Sequence, residues 1–252
     1  MIREWPSTAE EKRRHRASER RARRYGYETV TPSATYPLMA DVVRPASLGF
    51  EQVRPGHYAR RADDEHIDLL WFQLMKGATV TIAWGTSAAY VPTRLLPRPS
   101  WPRTLKQARA ALWTDSMETW RRGDSSVPDG AVSRAYGPQC IVDDTSRVWK
   151  AVGEAAQRLW AQAFSPTGLL ALARAQLANP STYDIHHPHP SFVAAFALAR
   201  NGDLDASEQE IGLWAASRDP AELAASQRAL ELVANHARPW QTRDPNREVS
   251  SR

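Results

Sequence analysis

Cysteine is almost absent from this chain of 252 residues: Cys140 stands alone. A single thiol excludes an internal disulfide and any site built from several thiolates. Lysine is scarce too, since only four of the 33 basic side chains are Lys and the other 29 are Arg. A GC-rich genome produces that bias by itself, so it is not credited to bidentate recognition. No stretch approaches the ~18 apolar residues of a membrane span. The charged N-terminus lacks the apolar core of a cleaved signal, so cytoplasm is the expected compartment. The phosphate-cradling patterns G-x-x-x-x-G-K-[ST] and G-x-G-x-x-G are missing, as is the hydrolase elbow G-x-S-x-G. No cofactor is expected.

What is present describes a folded protein. Hydrophobic residues make up 42% of the chain and ten tryptophans are among them, enough to build a sizeable core. The net charge of +5 sits in a tail. Residues 1–24 hold nine basic and four acidic side chains, and the remaining 24 basic and 24 acidic ones cancel. Ser7 and Glu10 have capping-box spacing, and Glu10/Arg14 and Glu19/Arg23 are i,i+4 pairs, so this segment reads as a helix. Without an apolar stripe it is expected to be an exposed, frayed arm over residues 1–27. The alternative is a nucleic-acid contact through Arg13, Arg14, Arg16, Arg20, Arg21, Arg23 and Arg24, weakened by the interleaved glutamates.

Residues 28–37 read as a linker and 38–47 as one or two helical turns ending near Pro45. A sheet is expected over about 48–92. Residues 48–54 and 57–61 flank Pro55-Gly56, and Asp63-Asp64 turn the chain into HIDLLWFQLM (66–75), apolar on both pleat faces and so a central strand. Lys76-Gly77 turns it again into TVTIAW (79–84), with Val80, Ile82 and Trp84 inward and Thr79, Thr81 and Ala83 outward. Short connections imply an antiparallel meander. The four prolines of 92–103 mark an irregular loop, and 121–131 is a second one.

From 104 to about 235 the pattern is helical. TLKQARAALW (104–113) is expected to be a helix capped by Thr104. In 146–164, Val148, Trp149, Val152, Ala156, Leu159, Trp160 and Ala163 form one stripe. Ser165 and Pro166 open a helix over 165–177. Residues 189–203 end at Gly202, 205–217 follow, and Asp219 to Glu222 cap a helix over 219–234. Gly202-Asp203 between Ala-rich helices is the mark of a tight hairpin, similar to one tetratricopeptide unit, with no repeat at a 34-residue period. Residues 238–252 are expected to be a loose tail. The expected architecture is therefore a single α+β domain over 28–237, a small antiparallel meander followed by a helical half.

Candidate chemistry is thin. His186, His187 and His189 crowd YDIHHPHPSF, and His187 and His189 share a side of an extended chain. Two such nitrogens need a further carboxylate or thiolate to hold zinc. The structural reading is a helix-entry loop; a metal site or proton transfer assisted by Asp184 stands against it. Cys140, beside Ile141 and Val142, reads as an inert buried thiol. Asp143-Asp144 read as a helix N-cap. Trp71, Trp84, Trp149, Trp160 and Trp214 fall in core phase, which favours packing over base stacking. In the strand 57–61, Tyr58 and Arg60 share one pleat face and Arg61 takes the other. An outward Tyr–Arg face on an edge strand either binds a partner, through Tyr58, Arg60 and Arg61, or protects the edge.

Gly49-Phe50, Gly56, Tyr58, Arg60, Phe72-Gln73 and the strand running into Gly85, together with the C-terminal helices, resemble an uncharacterised bacterial family, the domain of unknown function numbered forty-three-oh-four. The resemblance covers about residues 38–235; the basic arm and the proline-rich loop depart from it. It implies an α+β fold and no reaction. The function expected on these grounds is non-enzymatic binding of another protein, as an accessory or immunity-type factor. The alternatives are a nucleic-acid-associated protein using the arm, and a metal- or His-dependent hydrolase using His186–His189.

Overall fold

The computed structural model describes residues 9–93, 100–102, 104–121, 130–179, 189–216 and 227–233, without the side chains of 9–15, 120–121 and 214–216. Among them, six strands make one antiparallel sheet, β1 (Glu51–Arg54), β2 (His57–Arg61), β3 (His66–Met75), β4 (Thr79–Ala88), β5 (Leu112–Asp115) and β6 (Val132–Ser133). The order is β1-β2-β3-β4-β5, with β6 also on β4. The meander follows directly from its turns. Gly56 and Gly77 adopt left-handed backbone angles, φ 69° and 74°, which glycine reaches without a Cβ clash. The expected central strand is β3, paired along ten residues with β4 and along five with β2.

The helices are α1 (Ala9–Tyr25), α2 (Pro32–Val43), α3 (Ser116–Arg121), α4 (Gly137–Ala163), α5 (Pro166–Ala178), α6 (Pro190–Arg200) and α7 (Leu204–Ala216). Residues 227–233 are helical as well. The inner face of the sheet is covered by α2 and α4, whose side chains meet Tyr58, Leu70, Phe72, Val80, Ile82 and Trp84 in one core. On the outer face a smaller cluster joins Ala59, Ile67 and Leu69 to Ala108. A third core belongs to α5, α6 and α7, where α6 is buried from Pro190 to Ala199. A helix apolar all round is the centre of its layer. No described helix is long and apolar enough to cross a membrane.

Five expectations are corrected. Residues 32–37 are not linker: Thr31 accepts a hydrogen bond from the Ala34 amide and Pro32 takes the first position of α2, an N-cap and N1 proline. Residues 104–113 are not a helix but a short 3-10 helix (Leu105–Gln107) leading into β5. Sheet pairing overrides alanine's propensity there, because Gly85 lets the β5 backbone approach: a Cβ on it would lie 2.7 Å from Trp113 Cβ. Thr81 and Ala83 lie on the outer face but are fully buried, where β5 pairs alongside β4 and α3 packs against it. Asp143 and Asp144 are within α4, which starts at Gly137, rather than at its cap. Finally α1 is docked, not free. Ser18 and Tyr136 hydroxyls are 2.6 Å apart, Arg21 meets Asp144 at 3.1 Å, and the Tyr25 hydroxyl donates to Asp143 at 2.7 Å. Polar contacts replace the missing apolar stripe.

The rest follows the sequence pattern. Ser165 caps α5 by accepting from the Gly168 amide, and Gly202, φ 88°, turns the chain between α6 and α7. The split of the β4 edge is a local device: Ala83–Thr86 pair with β5 and Thr79–Val80 with β6. Between them the Ile82 amide donates to Ser116 Oγ, which in turn donates to the Gly130 carbonyl. The helix start expected at Asp219 lies outside the described residues, as do the 94–99 part of the proline-rich loop, residues 122–129 and the tail.

Candidate functional site

Strand β3 carries one carboxylate in a mostly apolar run, and that group organises the inner face. Asp68 pairs in register with Arg60 of β2, and antiparallel partners present their side chains on the same face. Arg60 Nε donates to Asp68 Oδ2 at 2.8 Å, and its Nη1 donates to the Leu48 carbonyl at 2.7 Å. The guanidinium carbon lies 4.7 Å from the centre of the Phe50 ring and 5.1 Å from that of Trp160. Trp160 is fixed in turn, its indole N–H donating to the Gly85 carbonyl at 3.1 Å. Burial pushes the Asp68 carboxyl above its ordinary range, and the Arg60 guanidinium opposes the shift.

This corrects the expected edge. β2 lies between β1 and β3, and its Tyr–Arg face points inward. Tyr58 is a core residue, 7% exposed and edge-on to Phe72. Arg60 is half-buried and Arg61 exposed. The end of β2 opens onto a groove of about 700 Å³ against the C-terminal turns of α4. Its lining includes Arg60, Arg61, Asp68, Gln157, Trp160 and Phe164. Phe164 is 54% exposed. Arg61 forms no ion pair among the described residues.

Beneath this groove lies a buried polar chain. His66 Nδ1 is 2.9 Å from Asp63 Oδ2, and its Nε2 is 3.1 Å from the Tyr90 hydroxyl. Phe164 stacks over the imidazole at 6.3 Å. Beside it Arg200 of α6 forks onto Glu65 at 2.6 and 3.1 Å, clamping the helical half to the sheet. His66 and Tyr90 are 3% and 5% exposed, and burial, then the Glu65 charge, pushes the Tyr90 hydroxyl far above its ordinary pKa. Both imidazole nitrogens are already engaged, so no edge of the ring remains for a substrate. The chain has the composition of a catalytic relay and the geometry of a tie between β3 and the segment after β4.

The remaining candidates separate. Cys140 is buried, its Sγ donating to Asp144 Oδ2 at 3.7 Å. Burial, reinforced by the Asp144 charge, pushes its pKa up to about 11, the opposite of nucleophilic activation. His189 is the N-cap of α6, its Nδ1 accepting from the Ser191 amide. His186 and His187 lie outside the described residues. Among the described residues no three His, Cys, Asp or Glu side chains stand where they could hold one metal ion. In the arm, Arg21 and Arg24 are drawn to Asp144 and Asp143. Arg16, Arg20 and Arg23 are exposed and share one face of α1 at i, i+4 and i+7. The side chains of Arg13 and Arg14 are outside the described set. Compared with family models, curated proteins and solved structures, the chain has no match to any.

Asp68, Trp160 and Phe164 are site residues that motif reading passes over. Asp68 does leave a signal, because a lone carboxylate in a strand apolar on both faces requires a buried partner. Phe164, the last large apolar residue before the Ser165 cap, leaves none.

Proposed function

We propose that this chain is a binding protein, an accessory or immunity-type factor of a bacterial cytoplasm, and that the Arg60 groove receives a segment of another protein. One observation carries the reading. An exposed phenylalanine and an exposed arginine with no ion pair among the described residues flank a groove whose floor, Arg60 between Phe50 and Trp160, is already held rigid. Interfaces draw most of their energy from such aromatic and arginine anchors, and a floor ordered beforehand lowers the cost of binding. The excess positive charge comes from Arg61, because Arg60 and Asp68 neutralise one another. The occupant is therefore an acidic side chain beside an apolar one. Membership of the family that the sequence resembles is part of the same proposal, and the α+β fold it implies is the one observed. Selection of peptides from a displayed random library on the full chain tests it. Acidic peptides with a neighbouring aromatic or aliphatic residue should be enriched and should lose binding to Phe164→Ala and to Arg61→Glu. Equal binding to both variants would remove the groove from consideration.

A second reading rests on the arginine face of α1. Arg16, Arg20 and Arg23 project together, with no ion pair among the described residues, and so can meet a phosphate backbone. Removing all three as alanine should lower the slope of log affinity against log salt by about 2.7 on duplex DNA, at roughly 0.9 per neutralised phosphate. An unchanged slope rejects the arm as a nucleic-acid contact.

A further inference from the structure

The outer face of the sheet holds a second pocket, of about 210 Å³, between the β1–β2 hairpin and the segment 106–110. Its basic residues are Arg54, His57, Lys106 and Arg109, and no carboxylate is among its described lining residues. Four cationic or protonatable groups around one concavity repel each other. Elsewhere an exposed arginine meets a carboxylate, as Arg158 meets Glu154 on α4. Here Arg54, Lys106 and Arg109 form no ion pair among the described residues. Their floor is apolar, with Val53, Leu69, Ala108 and the Trp71 ring, which packs 5.6 Å from Trp113.

We propose that this pocket binds a small phosphate-bearing anion, a phosphate monoester or pyrophosphate, with the organic part of an ester resting on Trp71. Three permanent charges suit a dianion better than a carboxylate. Arginine forks match phosphate oxygens two at a time, while lysine adds a point charge. The volume lies below the roughly 300 Å³ at which sites for drug-sized ligands begin, so the ligand is small. His57 completes the set. Its Nδ1 lies 3.0 Å from the Pro55 carbonyl, which only accepts, so Nδ1 is the donor, and Nε2 becomes a second donor for an anion when the ring is protonated. Burial holds the His57 pKa below its ordinary value; the hydrogen bond to Pro55 opposes it, and the charges of Arg54 and Arg109 add to it, while burial with Arg109 lowers Arg54. An arriving anion offsets the mutual repulsion of these charges. This site lies on the opposite face of the sheet from the Arg60 groove, and the two stand or fall separately.

Isothermal titration of the full chain with pyrophosphate, with sulfate and with a twelve-nucleotide single strand tests the proposal at low ionic strength. One site is expected for pyrophosphate, with sulfate binding the same site more weakly. Arg109→Ala and Lys106→Ala, both at exposed positions, should each weaken pyrophosphate at least tenfold, because a charge-assisted contact is worth that much. Arg158→Ala should leave the affinity unchanged, and urea unfolding of each variant checks that the fold is kept. Three results overturn the inference: no saturable binding of pyrophosphate, an equal loss in Arg158→Ala, or an oligonucleotide that binds more tightly than pyrophosphate through the same two residues.

Discussion

Replacing Arg60 by methionine isolates the interaction that organises the groove. The new side chain keeps an apolar stem between Phe50 and Trp160, but the charge and both hydrogen bonds disappear. Two cation–π contacts are lost, worth about 0.5–1 kcal/mol each. Asp68, whose side chain is 4% exposed, loses its only ion-pair partner among the described residues. Breaking a buried pair from one side costs roughly 3–5 kcal/mol, and the lower end applies because the Arg60 side chain is 32% exposed. The expected loss is about 4 kcal/mol at pH 8, measured by urea unfolding with tryptophan fluorescence. The pH dependence follows from Asp68. Burial already holds its folded pKa above the unfolded value, and removing Arg60 moves it higher. An acid shifted upward binds more protons in the folded state, so stability falls as pH rises through the window between the two values. The deficit of Arg60→Met should therefore shrink from pH 8 to pH 5, and adding Asp68→Asn should recover part of it. A deficit equal at both pH values, one below about 1 kcal/mol, or no recovery in the double variant would refute the reasoning.

Cys140 should resist a thiol reagent at pH 8 until urea unfolds the chain; stoichiometric labelling of the native protein within minutes would contradict its raised pKa. Gly85→Ala should cost more than about 2 kcal/mol in the same unfolding assay, the range of an overpacked core, because its Cβ would press on the β5 backbone and on Trp113. Asp63→Asn should lose about 1 kcal/mol at pH 7. Burial raises the Asp63 carboxyl, but the His66 ring and two backbone amides outweigh it and hold the folded pKa low. That contribution is full above the unfolded pKa and fades as pH falls through the folded one, so the variant and the parent should converge in acid. A gap that does not narrow at all as pH falls below the ordinary aspartate range would show that Asp63 acts only through packing.

The strands from His57 to Ala88 are readable in the sequence because alternation and turn residues agree at every joint. The segments that are misread depend on something distant. β5 follows a stretch with Ala108, Ala110 and Ala111 that reads as helix, and it becomes a strand because Gly85, far back in the chain, offers it a ladder. α2 is a different failure, since Thr31-Pro32 is a local start signal inside a stretch that otherwise reads as linker. α1 lacks an apolar stripe and is held by hydrogen bonds to residues more than a hundred positions away. The site follows the same rule. Arg60 stands out as a residue, but its inward aim depends on β1 occupying the edge and on α4 lying across the inner face. Neither is local information.

Ser116 gives the sheet a seam. Where β5 leaves β4 and before β6 joins it, one hydroxyl stands in for a missing rung, accepting from the Ile82 amide and donating to the Gly130 carbonyl. The chain between β5 and β6 is thus anchored at both ends by the same strand, and its closure cost grows only slowly with length, by about 0.6 kcal/mol per doubling. Sequence can be added or exchanged in that excursion while the register on either side stays fixed. A break introduced there would leave two fragments, each holding its own part of one ladder. The serine makes this the position at which the fold can be extended without being rebuilt.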